Sequence, residues 1–341
     1  GLGIPVGNQF KLWPQTIGGE KVNLIILDDA SDPSKGASNA RRFVTDDKVD
    51  MIFGGSITTV SVAVAPIALE AKTTQIAISP VGVPPDQEKW LFRLPQGFAV
   101  MAHPIVEHMK KNGVKTVGFL GYTDAYGESW LTDFKAQSQQ LGGPQVVAVE
   151  RFARADTSVT GQALKLVAAN PDAMLIVASG SGAAMPHKGV VERGYKGKIY
   201  QTHAAASRDL VRVGGKDVEG AFVTSGPAVI PEQLPASHPS KALAADFVAK
   251  YEKAYGAGSR NQFGGHAYDA IVVLEKVLPG ALKKAKPGTK EFRAAIRDGV
   301  ETMGRTVVSH GVLNYTKDNH WGFTTETGVI LKVVNGDWKV E

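Results

Sequence analysis

The run from Leu27 to Pro80 limits the possible folds more than any other stretch. Asp28-Asp29 reads as the acidic end of an apolar strand, and Asp32 to Thr45 as the helix after it. Met51-Ile52-Phe53 is a short apolar strand that leads into Gly54-Gly55-Ser56-Ile57-Thr58-Thr59. An alanine-rich helix follows, then the strand Ile76-Ala77-Ile78 and the turn Ser79-Pro80. Alternation of this kind gives a parallel sheet covered by helices. The loop at the start of the second helix carries small hydroxyl side chains. It presents free backbone N–H groups and the positive end of a helix dipole, an arrangement suited to holding an anion.

The same alternation resumes downstream. Strands are expected at Trp90 to Arg93, Thr116 to Leu120, Gln145 to Glu150, Ala173 to Ala178, Lys198 to Gln201 and Gly220 to Thr224. Helices are expected at Gln96 to Asn112, Tyr126 to Leu141, Ser158 to Ala169 and Ala183 to Arg193. The texture then changes. A proline-rich loop (Ile230 to Pro239) precedes helices at Ser240 to Tyr255, Gly265 to Leu278 and Thr289 to Asp298. The end reads as a hairpin turned at Asn335-Gly336. With 341 residues the chain suits two αβ lobes better than one. Crossings are expected near Leu94 to Phe98, Ser225 to Ala228 and Trp321 to Phe323. They assign 1–97 and 228–322 to the first lobe, and 98–227 and 323–341 to the second. A hinge of three strands permits rigid-body closure on a ligand.

Composition removes several function classes. The net charge of +5 is spread along the chain, and Lys283, Lys284 and Lys286 form the densest basic group without interleaved aromatics. Nucleic-acid binding is not expected. There is no cysteine, so disulfides, thiolate metal sites and a cysteine nucleophile are excluded. No apolar run approaches the ~18–20 residues that span a membrane. The opening Gly1-Leu2-Gly3-Ile4-Pro5 is neither a signal peptide nor a strand. The βαβαβ pattern leads us to expect a first strand, and the natural amino terminus, ahead of it.

No catalytic constellation emerges. Gly180-Ser181-Gly182 follows a strand, but Met185 stands where a dinucleotide loop needs a third small residue, and Tyr200 where it needs an acid. Ser179-Gly180-Ser181-Gly182 is not a hydrolase elbow. No Gly-x-x-x-x-Gly-Lys-Ser/Thr loop exists. His103, Glu107 and His108 miss the helical zinc spacings, and the other histidines are dispersed. Neither a metal nor a cofactor is expected. The anion loop is the stronger signal, although Thr58 or Thr59 could be a plain helix cap. Ser79-Pro80-Val81-Gly82-Val83 also follows a strand end, and ligands of open αβ sheets sit beyond those ends. A carboxylate would accept from Thr58 or Thr59 and from backbone N–H groups of both loops. Charge-assisted bonds contribute about 1.5–3 kcal/mol each and a helix end about 0.3–1 kcal/mol. Micromolar binding needs about 8 kcal/mol, so the rest of the ligand should be apolar and buried. Tyr122 and Tyr126 are candidates for an opposing aromatic wall, and Phe98 for the hinge lining.

These residues resemble the leucine/isoleucine/valine-binding family, the type I periplasmic solute-binding proteins of ABC importers. Asp28-Asp29 through Asp32-Pro33, with Arg41, Phe43, Val44, Lys48-Val49-Asp50 and Gly54, carries the most specific likeness. Pro66 with Ile78-Ser79-Pro80, Phe92-Arg93, Tyr126-Gly127 and Tyr268-Asp269-Ala270 add to it. The resemblance implies an α/β fold of two doubly wound parallel-sheet lobes on a three-crossing hinge. It also implies a monomeric periplasmic receptor that delivers its solute to a membrane permease and is not an enzyme. It places carboxylate binding on Thr58 and on the Val81 and Val83 backbones, with Tyr126 in the cleft. Valine at 83 lacks a hydroxyl that the family often has there.

One departure bears on the solute. Amino-acid binders of the family set an acid after a second-lobe strand, to meet the ligand's ammonium. Here that position falls at Thr202 or His203, and no acid follows until Asp209. A buried unpaired ammonium is very costly. The expected ligand is therefore a carboxylate without an amine: an aromatic acid such as benzoate, a hydroxylated relative or a cinnamate. His203 or Ser181 could meet a ring hydroxyl. Branched aliphatic or keto acids, amino acids, or a sensing domain of the same fold are the alternatives.

Overall fold

The computed structural model describes residues 2–341. Helix boundaries follow local chemistry. Pro33–Thr45 starts where the Asp32 carboxylate accepts from Lys35 N at 2.9 Å, with proline in the first turn. Ala125–Leu141 starts where Asp124 Oδ1 accepts from Tyr126 N and Gly127 N. It stops at Gly142, which takes the left-handed conformation that ends helices cheaply.

Two parallel sheets organise the chain. The smaller contains Met51–Phe53, Thr74–Ala77 and Leu91–Arg93 in that order. The Lys290–Thr302 helix packs on its central strand. The larger has seven strands. From one edge they run Gln145–Phe152, Thr116–Tyr122, Ala173–Val177, Lys198–Gln201 and Phe222–Ser225, all parallel, and close with the antiparallel hairpin Val329–Val334 and Asp337–Val340. The Thr116–Tyr122 strand has its sequence successor on one side and Ala173–Val177 on the other. Strand order reverses there, which opens a crevice beyond the strand ends.

Three segments link the layers: 94–97, 226–240 and 314–328. They lie against one another. A Cβ on Gly97 would stand 3.1 Å from the Trp321 ring. One on Gly226 would stand 2.5 Å from both Gln96 Nε2 and His310 Cδ2. Gln96 Nε2 donates to Thr327 Oγ1 at 3.3 Å.

One local expectation is corrected. The stretch up to Leu27, read as a strand, belongs to no sheet, and Leu24 and Ile26 are exposed. A cavity of about 870 Å3 lies between it and the Met51–Phe53 strand, so it has no partner for ladder hydrogen bonds. The opening residues form a helix instead, Gly3–Phe10, which packs on Gln262–Leu282. Short hairpins, Thr16–Ile17 with Glu20–Lys21 and Thr306–Val308 with Gly311–Leu313, were not anticipated either. Among the described residues no helix is long and apolar enough to cross a membrane.

Candidate functional site

The crevice at the strand reversal faces the ends of the smaller sheet. From that sheet come Ser56, Ile57 and Thr58, then Ile78, Ser79 and Pro80, and finally Pro95. From the larger come Tyr126, Arg154, Ser179, and His203 with Ala204, just past four different strands. The first turn of Gln262–Leu282 completes the wall with Gln262, Phe263 and His266. Among these lining residues Arg154 alone carries a fixed positive charge, and none is Asp or Glu.

The first-lobe loop holds the start of the Thr58–Glu70 helix. No side chain caps it, and the Ile57 carbonyl already accepts from Ser61 N. The first-turn amides are therefore not met by a cap. Three of the hydroxyls nearby have their protons engaged. Thr58 Oγ1 donates to Pro80 O at 2.7 Å. Ser61 Oγ donates to Gly55 O at 3.1 Å, which leaves Ser79 Oγ as the donor in the 2.7 Å bond between the two serines. Oxygen lone pairs, backbone N–H groups and the Ser56 hydroxyl are what the loop has left to offer.

Opposite, Tyr126 Oη bonds Thr202 Oγ1 at 2.7 Å, and burial pushes the phenol well above its usual range. Arg154 lies over the Tyr122 ring at 4.1 Å, reaches Asp124 through Nε at 2.5 Å, and donates from a terminal nitrogen to Ser179 Oγ at 3.0 Å. The guanidinium is thus held flat against one wall.

The expected residues distribute unevenly. Thr58, Ser79, Tyr126 and His203 line the crevice together. Thr59 is half-buried and is not part of the lining. Val81 and Val83 are not among the lining residues: Val81 packs with Ala65, Ala77 and Leu91, with Val83 against them, and the Val81 carbonyl accepts from Arg93 Nε at 2.8 Å. Phe98 stands behind the wall, edge-on to Tyr126 at 5.9 Å and to Trp130 at 6.1 Å. Ser181 is exposed and borders the larger cavity instead. Sequence reasoning missed Arg154, Gln262 and His266. Arg154 carried a signal, since it falls just past a strand end. The other two come from a helix far along the chain.

Burial governs the histidines. It depresses His203 to about 3 and His187 to about 4, and takes His266 well below its usual value. These imidazoles are neutral when folded, whereas unfolded ones take up protons near pH 6.5. The unfolded chain then binds more protons, so stability is full above about pH 6.5 and is lost as pH falls toward the folded values. Each depressed histidine should remove about 1.4 kcal/mol per pH unit through that window. Urea unfolding at pH 7.5 and 5.5 checks this; equal unfolding free energies at the two values would contradict it.

The residues around His266 also place His266, Asp269 and His310 within possible metal-ligand reach. The His266 and His310 rings stack at 3.9 Å and 16°. A metal must lie in the plane of each ring about 2.0–2.1 Å from nitrogen, and stacked parallel rings do not present that. Asp269 is moreover occupied, accepting from Ser309 N, His310 N and His310 Nδ1.

Comparisons with known proteins bear on the family and the fold. A family model described as periplasmic binding protein matches residues 12–334. An extracellular ligand-binding receptor from Rhodopseudomonas palustris HaA2 is 47% identical, with a TM-score of 0.97 over 100% of this chain and 95% of that one. A second receptor so described from the same organism is 40% identical, with a TM-score of 0.95 over 100% of this chain and 95% of that one. A leucine binding protein from Thermotoga maritima shares the fold at 24% identity, with a TM-score of 0.86 over 100% and 93%. No curated protein matches.

Proposed function

Because the chain belongs to the periplasmic binding protein family, we propose that it is the extracytoplasmic receptor of an ABC importer and that its solute is a small aromatic carboxylate without an amine. The family consists of solute receptors rather than enzymes. A membrane permease is the partner this reading requires.

The observation that carries the choice of solute is the lining. A zwitterionic amino acid needs an anion for its ammonium, because an unpaired buried charge costs far more than the remaining contacts return. Two acids close to the lining are engaged. Asp124 caps a helix and holds Arg154. Asp269 is fully buried and spends both oxygens on protein donors. A carboxylate alone, by contrast, meets the uncapped Thr58–Glu70 helix start on one side and Arg154 on the other. Ile57, Ile78, Pro80, Pro95, Phe263 and Tyr126 give the apolar and aromatic surface for a ring.

Capture requires movement. The crevice itself encloses about 20 Å3, room for roughly one water. A ring enters when the lobes part, and the three linking segments are where the chain bends.

A thermal-shift screen tests the reading. A ligand that binds only the folded form at a hundred times its Kd adds about 2.7 kcal/mol. Benzoate or cinnamate should raise the melting temperature by several degrees, and leucine should not. Stabilisation by leucine, with none from any aromatic acid, would reject the proposed solute.

A further inference from the structure

Three side chains at the crevice have polar atoms with no partner. Both ring nitrogens of His266, Nδ1 of His203 and Oε1 of Gln262 are buried and unbonded. The residues themselves are 2% exposed or less. All three line the same crevice. Buried polar groups without partners are rare, and each costs about 1–3 kcal/mol. The arrangement is also rigid. The Gln262 amide nitrogen donates to His203 O, which turns Oε1 away from that carbonyl as a free acceptor. His266 is held by its stack on His310, itself anchored to Asp269 at 3.0 Å.

We infer that His266, His203 and Gln262 form a subsite for a hydroxyl on the ligand, so that the preferred solute is a hydroxylated aromatic monocarboxylate. This rests on the aromatic-carboxylate reading above and narrows it. The chemistry matches in both directions. A neutral imidazole has one N–H donor and one bare nitrogen acceptor, and an amide oxygen accepts only. A phenol both donates and accepts, so one hydroxyl can serve a histidine N–H and either the second imidazole or Gln262 Oε1. A bare ring would leave these groups desolvated and unpaired, and sites built to bond a hydroxyl discriminate strongly against analogues that lack it. An ammonium would find only neutral acceptors here, in keeping with the absence of a carboxylate.

Titration calorimetry of the intact chain with benzoate and its 2-, 3- and 4-hydroxy isomers tests the subsite. At least one isomer should bind tenfold or more tightly than benzoate. In His266→Leu the ratio of that isomer's affinity to benzoate's should fall at least fivefold, with Gln262→Met as a second variant if the first does not fold. Benzoate binding equal to every hydroxy isomer would overturn the subsite while leaving the aromatic-carboxylate reading intact. A preference that survives both substitutions would overturn it too. Failure of all four acids, and of cinnamate and its hydroxy derivatives, to bind would sink the broader reading and the subsite with it.

Discussion

Gly127→Ala should cost about 3 kcal/mol or more of stability and deform the crevice. A Cβ at this position would stand 1.9 Å from the Tyr122 carbonyl oxygen, 2.7 Å from its carbon and 2.9 Å from its nitrogen. The obstacle is backbone, and it cannot step aside. Tyr122 closes the Thr116–Tyr122 strand, which is paired on both faces of its ladder. Helix Ala125–Leu141 folds back on the strand it follows, and its start is fixed by two bonds to Asp124 Oδ1. Accommodating one methyl therefore means lifting the helix start, and overpacking of this kind costs 1–3 kcal/mol even where side chains can yield. Tyr126 would move with it and pull its hydroxyl from Thr202. Gly161→Ala is the control: it lies in the Thr160–Ala168 helix with nothing within 4 Å of the added carbon, and alanine is the better helix former. Urea unfolding should show the large loss for the first and none for the second. A Gly127→Ala variant within 0.5 kcal/mol of the parent would refute this packing.

Asp269→Ala should be comparably damaging, by about 3–5 kcal/mol. The carboxylate is fully buried and takes Ser309 N at 2.6 Å, His310 N at 3.2 Å and His310 Nδ1 at 3.0 Å. Alanine leaves the Ser309 and His310 backbone N–H groups without an acceptor, and each orphan costs about 1–3 kcal/mol. Asp269→Asn keeps one oxygen and should fall between the two. The loss would reach the site as well, because His310 carries the ring on which His266 stacks. Parent-like unfolding of the alanine variant would show that the loop at 309–310 is held by something else.

Much of this was legible in the chain. Strand and helix periods located nearly every element, because each lobe buries its strands and leaves its helices half wet. Asp32 marked a helix start through capping chemistry that needs no tertiary context. The stretch before Asp28 misled for a physical reason: alternation signals a strand, but a strand forms only against a neighbour. The site was harder. Residues that follow strand ends, such as Thr58, Ser79 and Tyr126, could be inferred from topology alone. Val81 and Val83 pack into a small core after Pro80, and one-dimensional spacing cannot show which side of a turn is buried. Gln262 and His266 lie over 180 positions beyond Ser79, and only the closed chain path brings them to it.

The central claim is that a negative head group, and no positive one, is what the crevice is built to hold. Titration calorimetry of benzoate, its uncharged analogue benzamide, and leucine addresses it most directly. The structure leads us to expect benzoate to bind at least tenfold more tightly than benzamide, since the analogue forfeits charge-assisted bonds of about 1.5–3 kcal/mol each, and leucine to bind more weakly than benzoate. Benzamide equal to benzoate, or leucine tighter than both, would contradict it.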